Sequence, residues 1–241
     1  MSNYNTFAQF YDKLTENVEY KVRADYVSDF FSSYEGEVKT VLDLACGTGN
    51  ISYYLSERGY KITGLDLSED MLSVVSSKNI EGLLLLKGDM KNFYLPQKYD
   101  CCICLLDSIN HLENIQEVEA CFECVYKSLN EGGLFIFDVN TINKHKNILA
   151  GNTFVFDEDD FYLVWDNEGI DNSKVRILLD LFVYNGMSYD RYSEEFVETA
   201  YYIEELKKAL NGFDVLGIYD DLTLNSPTNE SERIYFVCKR K

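Results

Sequence analysis

A ten-residue stretch near the start of the chain, Val-Leu-Asp-Leu-Ala-Cys-Gly-Thr-Gly-Asn at positions 41–50, constrains the fold more than any other. Its apolar first half is typical of a buried strand, Gly47 and Gly49 predict a tight turn, and residues 50–57 predict a short helix. Because glycine has no Cβ, such a turn lets backbone N–H groups approach a ligand closely. The stretch therefore predicts an α/β sheet with a nucleoside-containing ligand at its edge.

Strand and helix patterns alternate along the first half of the chain. Helical patterns at 6–14 and 20–33 come first, and five apolar runs then predict strands at 39–45, 61–66, 83–86, 99–106 and 134–137. Apolar residues at every third or fourth position predict an amphipathic helix over 115–129, which we expect to end at Gly132-Gly133. This alternation predicts a mostly parallel sheet with helices on both faces.

The alternation breaks between residues 141 and 200. Four aromatic or β-branched runs separated by polar turns fill this segment, and Asn185-Gly186 between two of them is a strong hairpin signal. A helix near 202–211 and strands at 213–220 and 232–238 then restore the α/β pattern. We therefore predict a ligand-binding core formed by residues 1–140 and 201–241, and an antiparallel β insertion at 141–200 that covers part of the site.

The composition excludes several kinds of partner. Forty-one acidic against twenty-two basic residues give a net charge of −19. So negative a surface repels phosphate backbones and anionic lipids, so we expect no nucleic-acid or membrane partner. It is electrostatically compatible with a cationic or amine substrate, the alternative being that the charge serves only solubility. The chain has no apolar run long enough to span a membrane, no signal-peptide pattern at its start, and an odd number of cysteines. We expect a cytoplasmic protein, either monomer or homodimer.

Acidic residues mark the edge of the sheet where ligands bind in open α/β folds. Each predicted parallel strand ends in or is followed by one of them, namely Asp43, Asp66, Asp89, Asp107 and Asp138. An acidic edge accommodates hydroxyls and cations but opposes a pyrophosphate, which argues against a dinucleotide.

The spacing of two residues sharpens this distinction. Asp66 follows Gly47 by nineteen residues, the separation expected for a carboxylate that accepts hydrogen bonds from two ribose hydroxyls. Ser52 stands where a dinucleotide-binding turn has its third glycine. An NAD-dependent oxidoreductase is thus the disfavoured alternative.

Three motifs together resemble a known family. Residues 41–50, then Gly-Leu-Asp-Leu-Ser-Glu-Asp-Met-Leu at 64–72, then Gly88-Asp89-Met90, look like the first three motifs of class I S-adenosylmethionine-dependent methyltransferases, and residues 129–138 are similar to the family's turn into its fifth strand. The resemblance covers about residues 37–140. Ala45 departs from the glycine that many members have there, and Asn130-Glu131 replaces a common Lys-Pro. The resemblance implies a Rossmann-like sheet whose last strand is antiparallel.

The resemblance also implies how the first two motifs hold S-adenosyl-L-methionine. The backbone at Ala45, Gly47 and Gly49 would lie against the methionyl part. Asp43 would hold the turn and face the amino group through water. Asp66 would bind the ribose hydroxyls.

Further cofactor contacts follow from the same resemblance. Leu67 and Met71 would flank the adenine, Asp89 would face its amino group beside the Met90 backbone, and Leu106 would line the cofactor from the fourth strand.

A segment before the core, Phe-Ala-Gln-Phe-Tyr-Asp at 7–12, is similar to a helix that closes over the cofactor in small-molecule methyltransferases. Tyr11 and Tyr20 are then candidate cofactor contacts, and the alternative is that both tyrosines only pack their helices.

Methyl transfer is an in-line displacement that requires alignment in a dry site more than it requires a base. His111 follows the fourth strand and is a candidate base for the acceptor, the alternative being a loop histidine bonded to backbone. His145 receives no role. The spacing of Cys121 and Cys124 suits a metal site, but both lie within an amphipathic helix without a second ligand pair, so we predict that the cysteines pack and that no metal binds.

The insertion is where we expect acceptor specificity. Its aromatic residues either cage a substrate ammonium or, as we favour for most of them, form a hydrophobic seam; they are Tyr162, Trp165, Phe182, Tyr184 and Tyr192. The stretch 191–201 resembles small bacterial methyltransferases, including amino-sugar N-methyltransferases. We thus predict a small-molecule methyltransferase acting on nitrogen, with an O-methyltransferase or a non-catalytic S-adenosylmethionine-binding module as alternatives.

Overall fold

A computed structural model describes residues 4–33 and 36–241 of the chain. Its helices are α1 (Tyr4–Leu14), α2 (Tyr20–Ser33), α3 (Asn50–Ser56), α4 (Glu69–Ser77), α5 (Ile115–Ser128) and α6 (Ile203–Ala209). Its strands are β1 (Thr40–Leu44), β2 (Lys61–Asp66), β3 (Leu83–Lys87), β4 (Tyr99–Cys104), β5 (Leu129–Asn140), β6 (Thr153–Asp157), β7 (Phe161–Gly169), β8 (Lys174–Tyr184), β9 (Tyr189–Thr199), β10 (Phe213–Asp220) and β11 (Arg233–Arg240). A 3₁₀ turn at Ser108–His111 and a π-helical turn at Lys144–Leu149 complete the set.

The larger sheet has seven strands in the order β3-β2-β1-β4-β5-β11-β10. The first five strands of this order run parallel, and β11 is antiparallel to both of its neighbours. This confirms the predicted fold class, including the antiparallel last strand. Chain order reverses between β1 and β4, so the crevice for a ligand opens at their carboxyl ends.

Two hydrophobic clusters fill the two faces of this sheet. Along β1, Val41 packs in one cluster with Ile103 and Ile136, while Leu42 packs in the other with Phe135. All five side chains are fully buried. Continuous apolar strands are therefore explained by burial on both faces, as the sequence predicts.

Polar side chains start two of the helices. The Ser68 hydroxyl accepts a hydrogen bond from the Met71 N–H at the start of α4, and Asn114 does the same for α5.

The predicted end of α5 at Gly132-Gly133 is wrong. The helix ends at Ser128, and β5 begins at the next residue. A Cβ on Gly133 would come 2.9 Å from the Asn130 carbonyl oxygen, so this glycine permits a close backbone approach within an irregular part of the strand instead of ending the helix.

The smaller sheet is an antiparallel meander of β6, β7, β8 and β9, which confirms the predicted antiparallel insertion. Phe161 and Leu181 on one of its faces pack with Phe7 of α1. Across the described residues, no helix is long and apolar enough to cross a membrane.

Candidate functional site

The turn after β1 carries two glycines with different physical roles. Ala45, Gly47 and Gly49 all have left-handed backbone, with φ of 58°, 53° and 74°. A Cβ on Gly49 would come 2.8 Å from Val75, so this glycine lets the turn pack on α4, whereas a Cβ on Gly47 would meet nothing within 4 Å. The backbone at Gly47 therefore faces open space that a ligand can approach. Ala45 carries the cost of a left-handed conformation that a glycine would avoid.

Asp66 lies at the carboxyl end of β2, directly beside this turn. Its carboxylate accepts hydrogen bonds from the N–H groups of Gly47 and Ser68, each at 2.8 Å. Each carboxylate oxygen keeps a second lone pair for a ribose hydroxyl. The structure thus links the carboxylate and the glycine turn that the sequence related only by spacing.

Asp43 is buried under the turn, and its partner is Ser52. The Ser52 hydroxyl donates to the Asp43 carboxylate at 2.6 Å. Burial raises the pKa of Asp43 to about 7, with the Ser52 hydrogen bond opposing the shift and the charge of Asp66 adding to it. Ser52, which the sequence offered only as evidence against a dinucleotide, has a direct structural role here.

The turn after β4 is held by a buried acid that several donors share. Leu106 and Asp107 both have left-handed backbone, and their N–H groups donate to the fully buried Asp138 carboxylate at 2.9 and 2.7 Å. Arg233 at the start of β11 bonds to both Asp138 and Asp107 at 2.6 Å. Burial favours the neutral form of Asp107, but the charges of Arg233 and Lys144 and the Arg233 hydrogen bond together outweigh it and hold the pKa of this carboxyl below its ordinary range.

Helix α1 lies over the glycine turn and is held there by Asp12. The Asp12 carboxylate accepts from the Thr48 hydroxyl at 2.6 Å and the Asn50 amide at 2.8 Å, and it pairs with Lys78 at 2.7 Å. Partial burial opposes ionisation, yet these donors keep the pKa of Asp12 below its ordinary value. The sequence contained Asp12 in the segment at 7–12 but gave no sign of its partners.

The two candidate tyrosines occupy different settings near this helix. Burial raises the pKa of Tyr11, with smaller contributions from Tyr20 and from Asp107 of the β4 turn, so its hydroxyl is close to the site. The Tyr20 hydroxyl donates to Thr15 at 2.7 Å and stabilises the corner between α1 and α2. Their contact with a cofactor stays a prediction.

The remaining candidate cofactor residues follow the carboxyl ends of β2 and β3 or lie in α4. Leu67 is 64% exposed at the end of β2, and Met71 lies half-buried one turn into α4. Asp89 accepts from the Lys91 N–H at 3.0 Å, while Met90 packs against the hydrophobic cluster that contains Leu42 and Phe135. An exposed apolar side chain beside a ribose-type carboxylate suits one face of an adenine ring.

His111 lies at the open side of the β4 turn, as its position after the fourth strand suggests. Its side chain is 46% exposed, and its ring packs on Phe196 with the centroids 5.1 Å apart. Glu198 of β9 is its nearest acid, with Oε1 3.9 Å from the His111 Nε2. His145, in contrast, is fully buried in the π-helical turn.

The insertion does not form an aromatic cage from the five residues considered. Tyr162 and Phe182 pair across β7 and β8 on the face opposite to Leu181, and Tyr184 is exposed at the end of β8. Trp165 and Tyr192 pack in the hydrophobic clusters under the sheet. Trp165 and Tyr192 therefore belong to a hydrophobic seam, as predicted for most of the five aromatic residues.

The cysteines and the acidic side chains form no metal centre in the part of the chain that the structure describes. Cys121 is buried in the hydrophobic cluster that contains Leu42 and Phe135, and the Cys124 thiol donates to the Lys91 carbonyl oxygen.

Several known proteins that resemble this chain in sequence and structure are methyltransferases. A family model described as a methyltransferase domain matches residues 41–133. The Bacillus subtilis protein YqeM, whose name assigns it to the methyltransferases, is 32% identical over 98% of this chain and 97% of its own length. A crystal structure of an S-adenosylmethionine-dependent methyltransferase from Clostridium acetobutylicum is 33% identical, covers 99% of both chains and superposes with a TM-score of 0.89.

This chain belongs to the class I S-adenosylmethionine-dependent methyltransferases. Over half its length, it is also 31% identical to a Streptomyces venezuelae enzyme named dTDP-3-amino-3,4,6-trideoxy-α-D-glucopyranose N,N-dimethyltransferase, of which it covers 50%.

The residues present fit the family's cofactor. The open space at Gly47, the free lone pairs of Asp66 and the exposed face of Leu67 suit a methionyl backbone, a ribose and an adenine in that order. The carboxylates of Asp43 and Asp66 suit a donor that carries a positive sulfonium.

Proposed function

We propose that this methyltransferase acts on a small molecule and transfers the methyl group to nitrogen. The supporting observation is an open cleft of about 610 Å³. It reaches Arg233, which bonds to Asp107 and Asp138 at the turn after β4. Its charged lining has four carboxylates against three cations: Asp220, Asp221, Glu230 and Glu232 against Arg23, Lys144 and Arg233. Such a cleft suits a small, polar, basic acceptor.

When bound, S-adenosylmethionine supplies an electrophilic methyl group on a sulfonium. We propose that the glycine turn and Asp66 fix its methionyl and ribose parts, with Asp43 facing the methionyl amino group, and that Asp89 and the backbone of Met90 lie beside the adenine. Helix α1, held by Asp12, would exclude water from the reacting atoms.

A cofactor titration tests the assignment of Asp66. The unmodified protein should bind S-adenosylmethionine and its demethylated product in calorimetry, and Asp66→Ala should weaken both by about tenfold or more, because the ribose hydroxyls lose a charged acceptor. Glu69→Ala removes an exposed carboxylate three residues later, at the start of α4, and serves as the matched control. Equal affinities for Asp66→Ala and Glu69→Ala would contradict the assignment of Asp66 to the ribose hydroxyls.

The acceptor atom decides how much His111 contributes. An amine reacts through its lone pair and needs little help, whereas a hydroxyl needs a base to remove its proton. The N,N-dimethyltransferase relative supports nitrogen; a ubiquinone biosynthesis O-methyltransferase of Hydrogenovibrio crunogenus, 25% identical over 134 residues, supports oxygen as the second candidate.

Product analysis with a labelled methyl donor and a metabolite extract distinguishes the two. We expect label on nitrogen and a loss of less than about tenfold in turnover for His111→Ala. A loss of about 10²-fold or more, with label on oxygen, would instead establish O-methylation. Cofactor binding without label transfer to any extract would support a non-catalytic module.

We further propose that residues 1–140 and 201–241 bind the donor and that 141–200 covers the acceptor. The contact between His111 and Phe196 of β9 supports this division, because it brings the insertion to the mouth of the core site. The seven free cysteines support a cytoplasmic location.

A further inference from the structure

A buried acid–base pair lies behind His111 and has no part in the function proposed so far. Glu198, near the end of β9, is 4% exposed, and His145 is fully buried. The His145 Nε2 lies 3.4 Å from Glu198 Oε2, and neither atom has a hydrogen-bond partner among the described residues. Two polar atoms so placed require an explanation, since burial without a partner is costly.

The second ring nitrogen of His145 indicates where the protons lie. Its Nδ1 is 2.8 Å from the Ser173 carbonyl oxygen. A carbonyl only accepts, so Nδ1 carries a proton, and a neutral ring would then turn the Nε2 lone pair toward the lone pairs of Glu198. A proton on Nε2 removes this repulsion and turns the contact into an imidazolium facing a carboxylate.

The other oxygen of Glu198 faces the candidate active site. Oε1 lies 3.9 Å from the His111 Nε2, and Phe196, two residues earlier on β9, supports the His111 ring. The carboxylate therefore lies between a buried histidine and a half-exposed one.

Among the described residues, few other charged groups surround His145, Glu198 and His111. Glu194 and Asp107 face His111, and Lys144 faces Glu198. Burial raises the pKa of Glu194, and Asp107 is already engaged by Arg233. Glu198, with Oε1 3.9 Å from the His111 Nε2, is thus the nearest carboxylate to His111 among the described residues.

We propose that Glu198 is a positioning residue for His111 and that His145 holds it in place as an ion pair. Its carboxylate orients the His111 imidazole and stabilises the imidazolium that forms when His111 takes a proton from the acceptor. In that step the acceptor N–H or O–H bond breaks, its electron pair stays with the acceptor, and an N–H bond forms on His111. This catalytic part rests on the proposed function; the ion pair itself does not.

Histidine NMR tests the proposal directly, because the chain has two histidines and each ring gives its own signals. The ¹⁵N-labelled protein, Glu198→Gln and His145→Gln are titrated with pH, and His111→Asn assigns the signals. Glu195→Gln is the matched control, since Glu195 lies on the same strand but pairs with Arg176 at 3.2 Å on the opposite face.

In the unmodified protein, we expect both ring nitrogens of His145 to carry protons at neutral pH. Glu198→Gln should lower the midpoint of the His111 titration by about half a pH unit, because it removes a charge at 3.9 Å that His145 partly offsets. His145→Gln should raise that midpoint, because Glu198 then lacks its compensating charge. If His145→Gln does not fold, the His111 midpoint in Glu198→Gln tests the proposal by itself.

A neutral His145 in the unmodified protein, or a His111 midpoint that Glu198→Gln moves no more than Glu195→Gln, would overturn the proposal. These signals need neither donor nor acceptor. A failure to bind S-adenosylmethionine would contradict the proposed function alone, so the two failures are distinguishable.

Discussion

At the scale of single residues, the site contains left-handed backbone at residues other than glycine, together with buried carboxylates. Ala45, Leu106 and Asp107 hold left-handed backbone without being glycine, and all three lie at the carboxyl ends of β1 and β4. Left-handed conformations at non-glycine residues persist where surrounding contacts enforce them, and they concentrate at functional sites. Here the Asp138 carboxylate enforces two of the three.

Gly47 and Gly49 should respond differently to the same substitution. Gly47→Ala should lower the unfolding free energy by about 1 kcal/mol, from the left-handed backbone alone, but weaken S-adenosylmethionine binding at least about tenfold. Gly49→Ala should mainly destabilise the fold, because its Cβ would collide with Val75. Denaturant unfolding and calorimetry measure the two effects.

Gly59 provides the control for this comparison. It also has left-handed backbone with open space around it, but it lies at the far end of α3. Gly59→Ala should match Gly47→Ala in stability and leave binding unchanged. Equal binding by Gly47→Ala and Gly59→Ala would contradict the placement of the cofactor at Gly47.

Asp43 should make stability depend on pH in the ligand-free protein. Its pKa rises from the ordinary 3.8 to about 7 in the fold, so the folded state retains the proton to higher pH than the unfolded chain does. The contribution of Asp43 to the unfolding free energy therefore falls as the pH rises from about 4 to about 7.

Asp43→Asn should lack this fall. Unfolding in denaturant at several pH values measures the difference between the two proteins, and groups that titrate equally in both cancel. A difference that is constant across this pH range would show that Asp43 has an ordinary pKa.

At the scale of elements, α1 is the connection between the two sheets. Its Asp12 bonds to the glycine turn, while Phe7 and Phe10 pack on the smaller sheet at Phe161, and Lys13 pairs with Asp160. Helix α1 therefore contacts the glycine turn and the insertion at the same time.

Asp12→Ala should loosen α1 without unfolding the core. The substitution removes two hydrogen bonds and one partly exposed ion pair, so we expect about 1–2 kcal/mol less local stability. Hydrogen exchange of residues 4–14 should accelerate, and cofactor affinity should fall by about tenfold.

Glu16→Ala, an exposed acid just after α1, is the control. Exchange in α1 that stays slow in Asp12→Ala would show that the apolar contacts alone hold the helix.

The element scale also shows how far sequence reasoning reached. The alternating strands and helices and the four runs of the insertion were predictable, because burial on one or two faces imposes a period on the sequence. The end of α5 was not, since a glycine pair has the same appearance whether it ends a helix or permits close strand packing.

At the scale of the whole molecule, the net charge of −19 should influence how ligands arrive. S-adenosylmethionine carries one net positive charge at neutral pH, and its demethylated product carries none. A negative protein attracts the first from a distance and not the second.

The association rate of S-adenosylmethionine should therefore fall by about tenfold as salt screens this attraction, because the Debye length shrinks from about 30 Å at 0.01 M to about 3 Å at 1 M. The rate for the demethylated product should change little. Stopped-flow binding measures both, and equal salt dependence for the two ligands would rule out long-range attraction.

By itself, the sequence determined the fold class and, through motifs that resemble a known family, the donor; it also predicts the edge of the sheet that binds the donor. These depend on local patterns: apolar periods, a glycine turn, and Asp66 at a fixed distance from Gly47. Only the tertiary structure decided the partners, such as Asp12 with Thr48, Arg233 with Asp107, and Glu198 with both histidines. Those contacts join residues distant along the chain, and their free energy depends on burial and geometry, which a linear pattern does not encode.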